Sequence, residues 1–152
     1  MSEQSGEAAA SPIVITEATE LTDELSDAVE AMLPQLSETA VFDRGLIERA
    51  VASEATHLYV ATLDGAIVGT ASLCIYPIPT GLRGHIEDVV VGEAARGHGL
   101  ARRLIDHLVA EGRRMGLRTI DLTSRPSRTA AIRLYETSGF VKRDTNVYRY
   151  QP

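Results

Sequence analysis

Hydrophobic positions along the chain recur at two different spacings, and the changes between them outline the elements. Ile13, Val14 and Ile15 make a first apolar run after Pro12 and predict a strand. Leu25, Val29, Met32 and Leu33 then recur at helical spacing behind Thr22 or Asp23, either a suitable cap, with Pro34 near the end. A second helix is expected from about Asp43 through Leu46, Ile47 and Ala50. Residues 57–62 and 66–73 are two strand-like runs around Leu63-Asp64-Gly65, whose Asp-Gly pair signals a hairpin. Residues 76–81, with Pro77, Pro79 and Gly81, read as a loop, and residues 84–87 lead into the next strand.

That strand ends in Val89, Val90 and Val91, three β-branched residues in succession, which suits a strand buried on both faces. Gly92 breaks it. From Gly99 onward Leu100, Ala101, Leu104, Ile105, Leu108 and Val109 make a helical stripe, with Arg102, Arg103, Asp106, Glu111, Arg113 and Arg114 at the other positions. Gly116 stops this helix, and Arg113, Arg114 and Arg118 place positive charge at its negative end. Residues 119–123 alternate as a strand, expected parallel to the valine strand through a right-handed crossover. A turn over residues 124–127 leads to a short helix over 129–137, whose apolar side includes Ala131, Ile132, Leu134 and Tyr135. Residues 140–142 and 147–150 read as a closing pair of strands. The chain is therefore α/β in class, with an α+β start.

Its 152 residues are enough for one domain with a substantial core, and 44% hydrophobic with 24% charged residues is ordinary globular composition. Residues 1–11 have neither the basic start nor the apolar segment of a signal peptide and read as a disordered tail. Residues 12–152 are then expected to form a single domain without internal repeats. No apolar run reaches the roughly 20 residues of a membrane span, so no membrane partner is expected. A net charge of −6 argues against nucleic-acid binding, which needs a positive surface. One cysteine, Cys74, excludes an intramolecular disulfide and fits a reducing, cytoplasmic setting; within its apolar run it reads as a buried structural thiol. His57, His85, His98 and His107 show no metal-ligand spacing, so no metal is expected.

The stretch with chemistry is Arg96-Gly97-His98-Gly99-Leu100-Ala101, at the positive end of the amphipathic helix. Gly97 and Gly99 remove two side chains where backbone N–H groups lack helical partners, so a pyrophosphate can approach the main chain. Arg96 adds a charged donor. A dinucleotide fingerprint is ruled out because the position of its third glycine is Arg102, and the G-K-[ST] of a P-loop occurs nowhere.

The stretch resembles the acyl-CoA loop of the GCN5-related N-acetyltransferases, whose pattern is [Q/R]-x-x-G-x-[G/A], here preceded by a valine-rich strand. Ala131-Ile132-Arg133-Leu134-Tyr135-Glu136-Thr137-Ser138-Gly139-Phe140 is similar to the family's A-x-x-L-Y-x-x-x-G-F signature. The resemblance implies the GNAT fold, a mixed sheet of six to seven strands flanked by about four helices. It implies acetyl-CoA as co-substrate and no metal. It also implies that backbone groups of Val89 and Val91 hold the pantetheine arm, that a main-chain N–H near Val90 faces the thioester oxygen, and that backbone groups from Gly97 through His98, Gly99, Leu100 and Ala101 to Arg102 hold the pyrophosphate. Arg128 stands where the family commonly has an Asn that contacts the cofactor; it stays a candidate cofactor-binding residue, though the motif does not carry that contact over. Residues 84–91 are also similar to the corresponding strand of glucosamine-6-phosphate acetyltransferases, and less closely to that of diamine acetyltransferases, while the residues after Leu122 depart from both.

Acetyl transfer to an amine needs a proton acceptor for the ammonium and a proton donor for the departing thiolate. Tyr135 is the candidate acid, because a phenol is protonated at neutral pH; the plainer reading is a core aromatic on a helix face. Glu87 is the first candidate base and Asp88, expected on the opposite face, the second; the plainer reading of both is a salt-bridged strand end. The expected activity is direct attack by a primary amine in a ternary complex, with a small-molecule acceptor. A protein lysine or N-terminal acetyltransferase and a non-catalytic acyl-CoA-binding module are the alternatives. Pairing through the C-terminal strands would make a homodimer.

Overall fold

Five strands form one sheet in the order β1-β2-β3-β4-β5: β1 (Ile13–Glu17), β2 (Thr56–Leu63), β3 (Ala66–Ile78), β4 (Gly81–Val91) and β5 (Thr119–Asp121). The first four pair antiparallel and β5 joins β4 parallel. Among the described residues four α-helices accompany them: α1 (Asp23–Leu36), α2 (Arg44–Ala52), α3 (Leu100–Arg114) and α4 (Thr129–Thr137). This computed structural model describes residues 12–152, so the tail expected over residues 1–11 lies outside the described residues. The chain divides into two compact units, Met1–Leu122 and Thr123–Pro152.

In the first unit the helix signals act as read. Thr22 accepts the Leu25 N–H at 3.1 Å and caps α1, and Asp43 accepts the Leu46 N–H at 3.2 Å and caps α2. The sheet is covered on both sides. On one face Leu58 and Val60 of β2 pack with Leu25, Val29, Ile47 and Val51 of the first two helices. On the other lie Tyr59, Ala61, Ala71, Leu73 and Ile86, with Leu104, Ile105 and Leu108 of α3 fully buried. Gly112 lets α3 close on β5, since a Cβ there would sit 2.4 Å from Ile120 Cδ1.

Two expectations about the strands are corrected in this unit. Residues 76–81 are not a loop, because β3 and β4 continue pairing to Ile78 and Gly81. Pro77 is tolerated because Ile75 donates to Ala55 O on the β2 side. By alternation the missing Pro77 N–H also faces that side, past the start of β2 at Thr56. The valine strand is not buried on both faces either. Val90 is buried while Val89 and Val91 are half-buried.

The second unit contains α4 and no strand among its described residues. Among the described residues the sheet therefore has five strands, not six or seven, and residues 140–142 and 147–150 do not pair. Strand propensity is expressed through packing against cross-strand neighbours, and here Val141, Val147, Tyr148 and Tyr150 are 73–89% exposed. The helix itself ends as its sequence dictates. Gly139 adopts φ 95°, Phe140 N–H returns to Tyr135 O at 3.0 Å and Gly139 N–H to Glu136 O at 3.3 Å. This doubly bonded left-handed cap brings the Phe140 ring edge-on to Tyr135, centroids 6.2 Å apart.

Candidate active site

The chemistry-bearing stretch is built on an irregularity in β4. Thr70 pairs with Val90 and Ser72 with Glu87, so two steps along β3 correspond to three along β4. The extra residue makes a bulge, and Asp88 there holds φ 51°. Aspartate tolerates this left-handed conformation better than most side chains. The bulge replaces simple alternation at Asp88, so its direction does not follow from Glu87 as the sequence pattern suggested.

On its other edge β4 loses its neighbour. Pairing with β5 runs from Arg83↔Thr119 to His85↔Asp121 and stops, and no strand among the described residues pairs with β4 beyond that point on this edge. Gly92 N–H donates to Val68 O at 2.8 Å, toward β3. Alternation then turns the backbone groups of Val91 to the edge that β5 leaves. An extended chain with amide groups can bind there as a short strand would.

After Gly92 a single 3-10 turn, Glu93–Ala95, leads into Arg96, Gly97, His98 and Gly99, all four exposed. Gly97 takes φ 85° and Gly99 φ 70°, and a Cβ on either would meet nothing within 4 Å. Glycine is needed for backbone conformation, and the space above both is open. Gly99 is the N-cap of α3 and carries no capping side chain. Leu100 is buried and anchors the first turn, while Ala101 and Arg102 are half-buried. The loop thus offers helix-terminal N–H groups and open space, which fits a pyrophosphate. Arg96 Nη2 donates to Gln35 Oε1 of α1 at 2.6 Å, a contact the sequence gave no sign of.

Before the bulge, Glu87 and His85 share the face that α1 packs on, and Glu87 Oε1 lies 3.2 Å from His85 Nε2. Cys74 stands across from His85 on β3 and is half-buried, less covered than its apolar run suggested. Burial first, and the nearby Glu87 carboxylate second, push its thiol up from the ordinary cysteine range. Cys74 is therefore a poor nucleophile at neutral pH. In the second unit Tyr135 is half-buried on α4, and Arg128 is exposed at the helix start without making a side-chain cap. Among the described residues no group of three or more His, Cys, Asp and Glu side chains is placed to hold a metal, and no helix is long and apolar enough to cross a membrane.

A bulged strand that loses its parallel neighbour, followed by a glycine loop and a helix on a mixed sheet, defines an acyl-CoA-dependent transferase fold. The chain belongs to the acetyltransferase (GNAT) family, whose model matches residues 19–140, and it is an N-acetyltransferase. It is 32% identical over 123 residues to glucosamine 6-phosphate N-acetyltransferase 1 of Oryza sativa subsp. japonica, covering 77% of this chain and 72% of that protein. Among solved structures it resembles a putative acetyltransferase of Agrobacterium tumefaciens, with TM-score 0.80 and 23% identity, covering 91% of this chain and 99% of that one. Glucosamine-6-phosphate N-acetyltransferase of Arabidopsis thaliana aligns with TM-score 0.71 and 23% identity, over 91% and 98% of the two chains.

Proposed function

We propose that the protein transfers the acetyl group of acetyl-CoA to the primary amine of a small molecule, within a ternary complex and in the cytoplasm. The observation that carries this reading is the one-sided β4 edge leading into the open loop at Gly97 and Gly99. The backbone of Val89 and Val91 holds the pantetheine arm, and N–H groups from Gly97, His98, Gly99, Leu100, Ala101 and Arg102 hold the pyrophosphate. Arg96 and Arg128 add positive charge for the phosphates. A β4 backbone N–H beside Val90 meets the negative charge that develops on the thioester oxygen.

Glu87, with Asp88 as second choice, takes the proton from the acceptor ammonium. The freed nitrogen lone pair forms the new bond to the acetyl carbon as the carbon–sulfur bond breaks, and the Tyr135 hydroxyl returns a proton to the sulfur. An amino sugar is the first acceptor to try, because the rice relative is named for glucosamine 6-phosphate. The family match at residues 19–140 spans both compact units, which supports reading residues 12–152 as one domain. A homodimer joined through the exposed Val141, Val147, Tyr148 and Tyr150 belongs to the same reading, and solution mass measures it.

Free-thiol release from acetyl-CoA is the test, run with amino sugars including glucosamine 6-phosphate, polyamines, aminoglycosides and lysine peptides. Turnover on a small amine supports the proposal, with Glu87→Gln and Tyr135→Phe each slowing it. Turnover only on peptides points to a protein acetyltransferase, and binding of acetyl-CoA without turnover on any amine points to a binding module.

A further inference from the structure

Glu87 has a partner of its own on β4. His85, two residues earlier on the same face, brings Nε2 to 3.2 Å from Glu87 Oε1. The imidazole is 26% exposed and the carboxylate 53% exposed, so the more covered group is placed to hold the freer one. We propose that His85 is a positioning residue for Glu87: its Nε2–H donates to one carboxylate oxygen and leaves the other for the acceptor ammonium. This rests on the reading of Glu87 as the base.

A half-exposed glutamate otherwise samples several rotamers, and a misplacement of about 1 Å in a reacting group costs up to about a hundredfold in rate. The groups around His85 are consistent with a donor. Cys74 faces it from β3 and stays a neutral thiol, and Asp121 stands opposite on β5. Arg83, two residues back, gives its terminal nitrogens to Thr119 Oγ1 at 2.7 Å and Thr80 Oγ1 at 2.9 Å. The acidic residues of α1, Asp23, Glu24, Asp27 and Glu30, are all exposed, whereas Leu25, Ser26 and Met32 are its buried residues. Neutral in the Nε2–H tautomer or protonated, His85 offers Glu87 an N–H at 3.2 Å.

The test measures kcat and both KM values for His85→Leu, His85→Gln, Glu87→Gln and the double variant His85→Leu/Glu87→Gln, with thermal melting to check the fold. His85→Leu is expected to lower kcat about tenfold and to leave the acetyl-CoA KM within about twofold. Gln, whose amide N–H can stand in for Nε2–H, recovers most of the rate, and the double variant is no slower than Glu87→Gln. A wild-type kcat in His85→Leu, with Glu87→Gln slow, overturns the role of His85 alone. A full rate in Glu87→Gln overturns the base assignment and this inference with it. Additive losses in the double variant overturn the coupling. Should His85→Leu fail to fold, His85→Asn replaces it; its shorter amide should be slow where Gln is fast, and equal rates overturn the proposal.

Discussion

Arg96 is bonded to Gln35, so the loop that precedes α3 is fastened to the last turn of α1. The guanidinium needed for a phosphate is held at one nitrogen by a neutral acceptor, which orders it without cancelling its charge. Arg96→Ala should raise the acetyl-CoA KM about tenfold with kcat little changed. Gln35→Ala removes one exposed hydrogen bond worth about 1 kcal/mol and should raise that KM less than threefold. Steady-state kinetics on both variants checks the order.

Gly97→Ala and Gly99→Ala meet no steric neighbour, yet each forces a Cβ into left-handed backbone. Each should cost about 1–2 kcal/mol in urea unfolding, or leave stability intact by reshaping the loop and weakening acetyl-CoA binding. A variant with both stability and KM unchanged would contradict the reading of these glycines.

How far the sequence spoke for itself differs within this one region. Gly97, Gly99 and the apolar stripe of α3 were legible because each is a local demand, of backbone angle or of helical spacing. The bulge at Asp88 was not, since an extra residue in a strand leaves no mark when aspartate accepts the required angle. Pro77 misled for a related reason. Its effect depends on whether a neighbouring strand needs its N–H, and β2 begins at Thr56, opposite Cys74. Val147 and Tyr148 misled in the opposite way, with strand-like side chains and no partner strand. Tyr135 was legible as part of a motif, but its contact with Phe140 gives that motif a structural role as well.

Tyr59 makes a prediction about alkaline pH. It is 2% exposed, its hydroxyl has no hydrogen-bond partner among the described residues, and its ring meets His107 edge-on at 5.1 Å. Burial first, then the negative charges of Glu17 and Glu111, push its pKa from 10.0 to about 12. Below the lower value folded and unfolded chains both keep the proton. Between the two only the unfolded chain loses it, so stability falls as pH rises, by on the order of 2 kcal/mol in total. Tyr59→Phe should remove that fall and gain about 1 kcal/mol at neutral pH, read from urea unfolding at several pH values.

Cys74 should react slowly. With its thiol pushed up by burial and by Glu87, alkylation by iodoacetamide should begin at higher pH than for free cysteine. Cys74→Ala should keep most of the activity, and loss of turnover there would give the thiol a role it lacks in the mechanism above.

Asp88→Gly should preserve activity and stability, whereas Asp88→Val should cost about 1–2 kcal/mol, because a β-branched residue strongly resists φ 51°. If Asp88→Gly is inactive while well folded, Asp88 rather than Glu87 carries the base.

The bulge also changes the arithmetic of β4. Arg83, His85 and Glu87 share a face by steps of two, but the next residue on that face is Val90, three steps on, opposite Thr70. One inserted position thus reverses odd and even along the strand. The acidic end is paired with the polar row of Ser72 and Cys74, and the valines beyond it are shifted out of phase. Deleting Asp88 would leave Val90 two steps after Glu87 and still opposite Thr70, so this one position can be lost with inside and outside conserved, whereas a deletion elsewhere in the strand exchanges them.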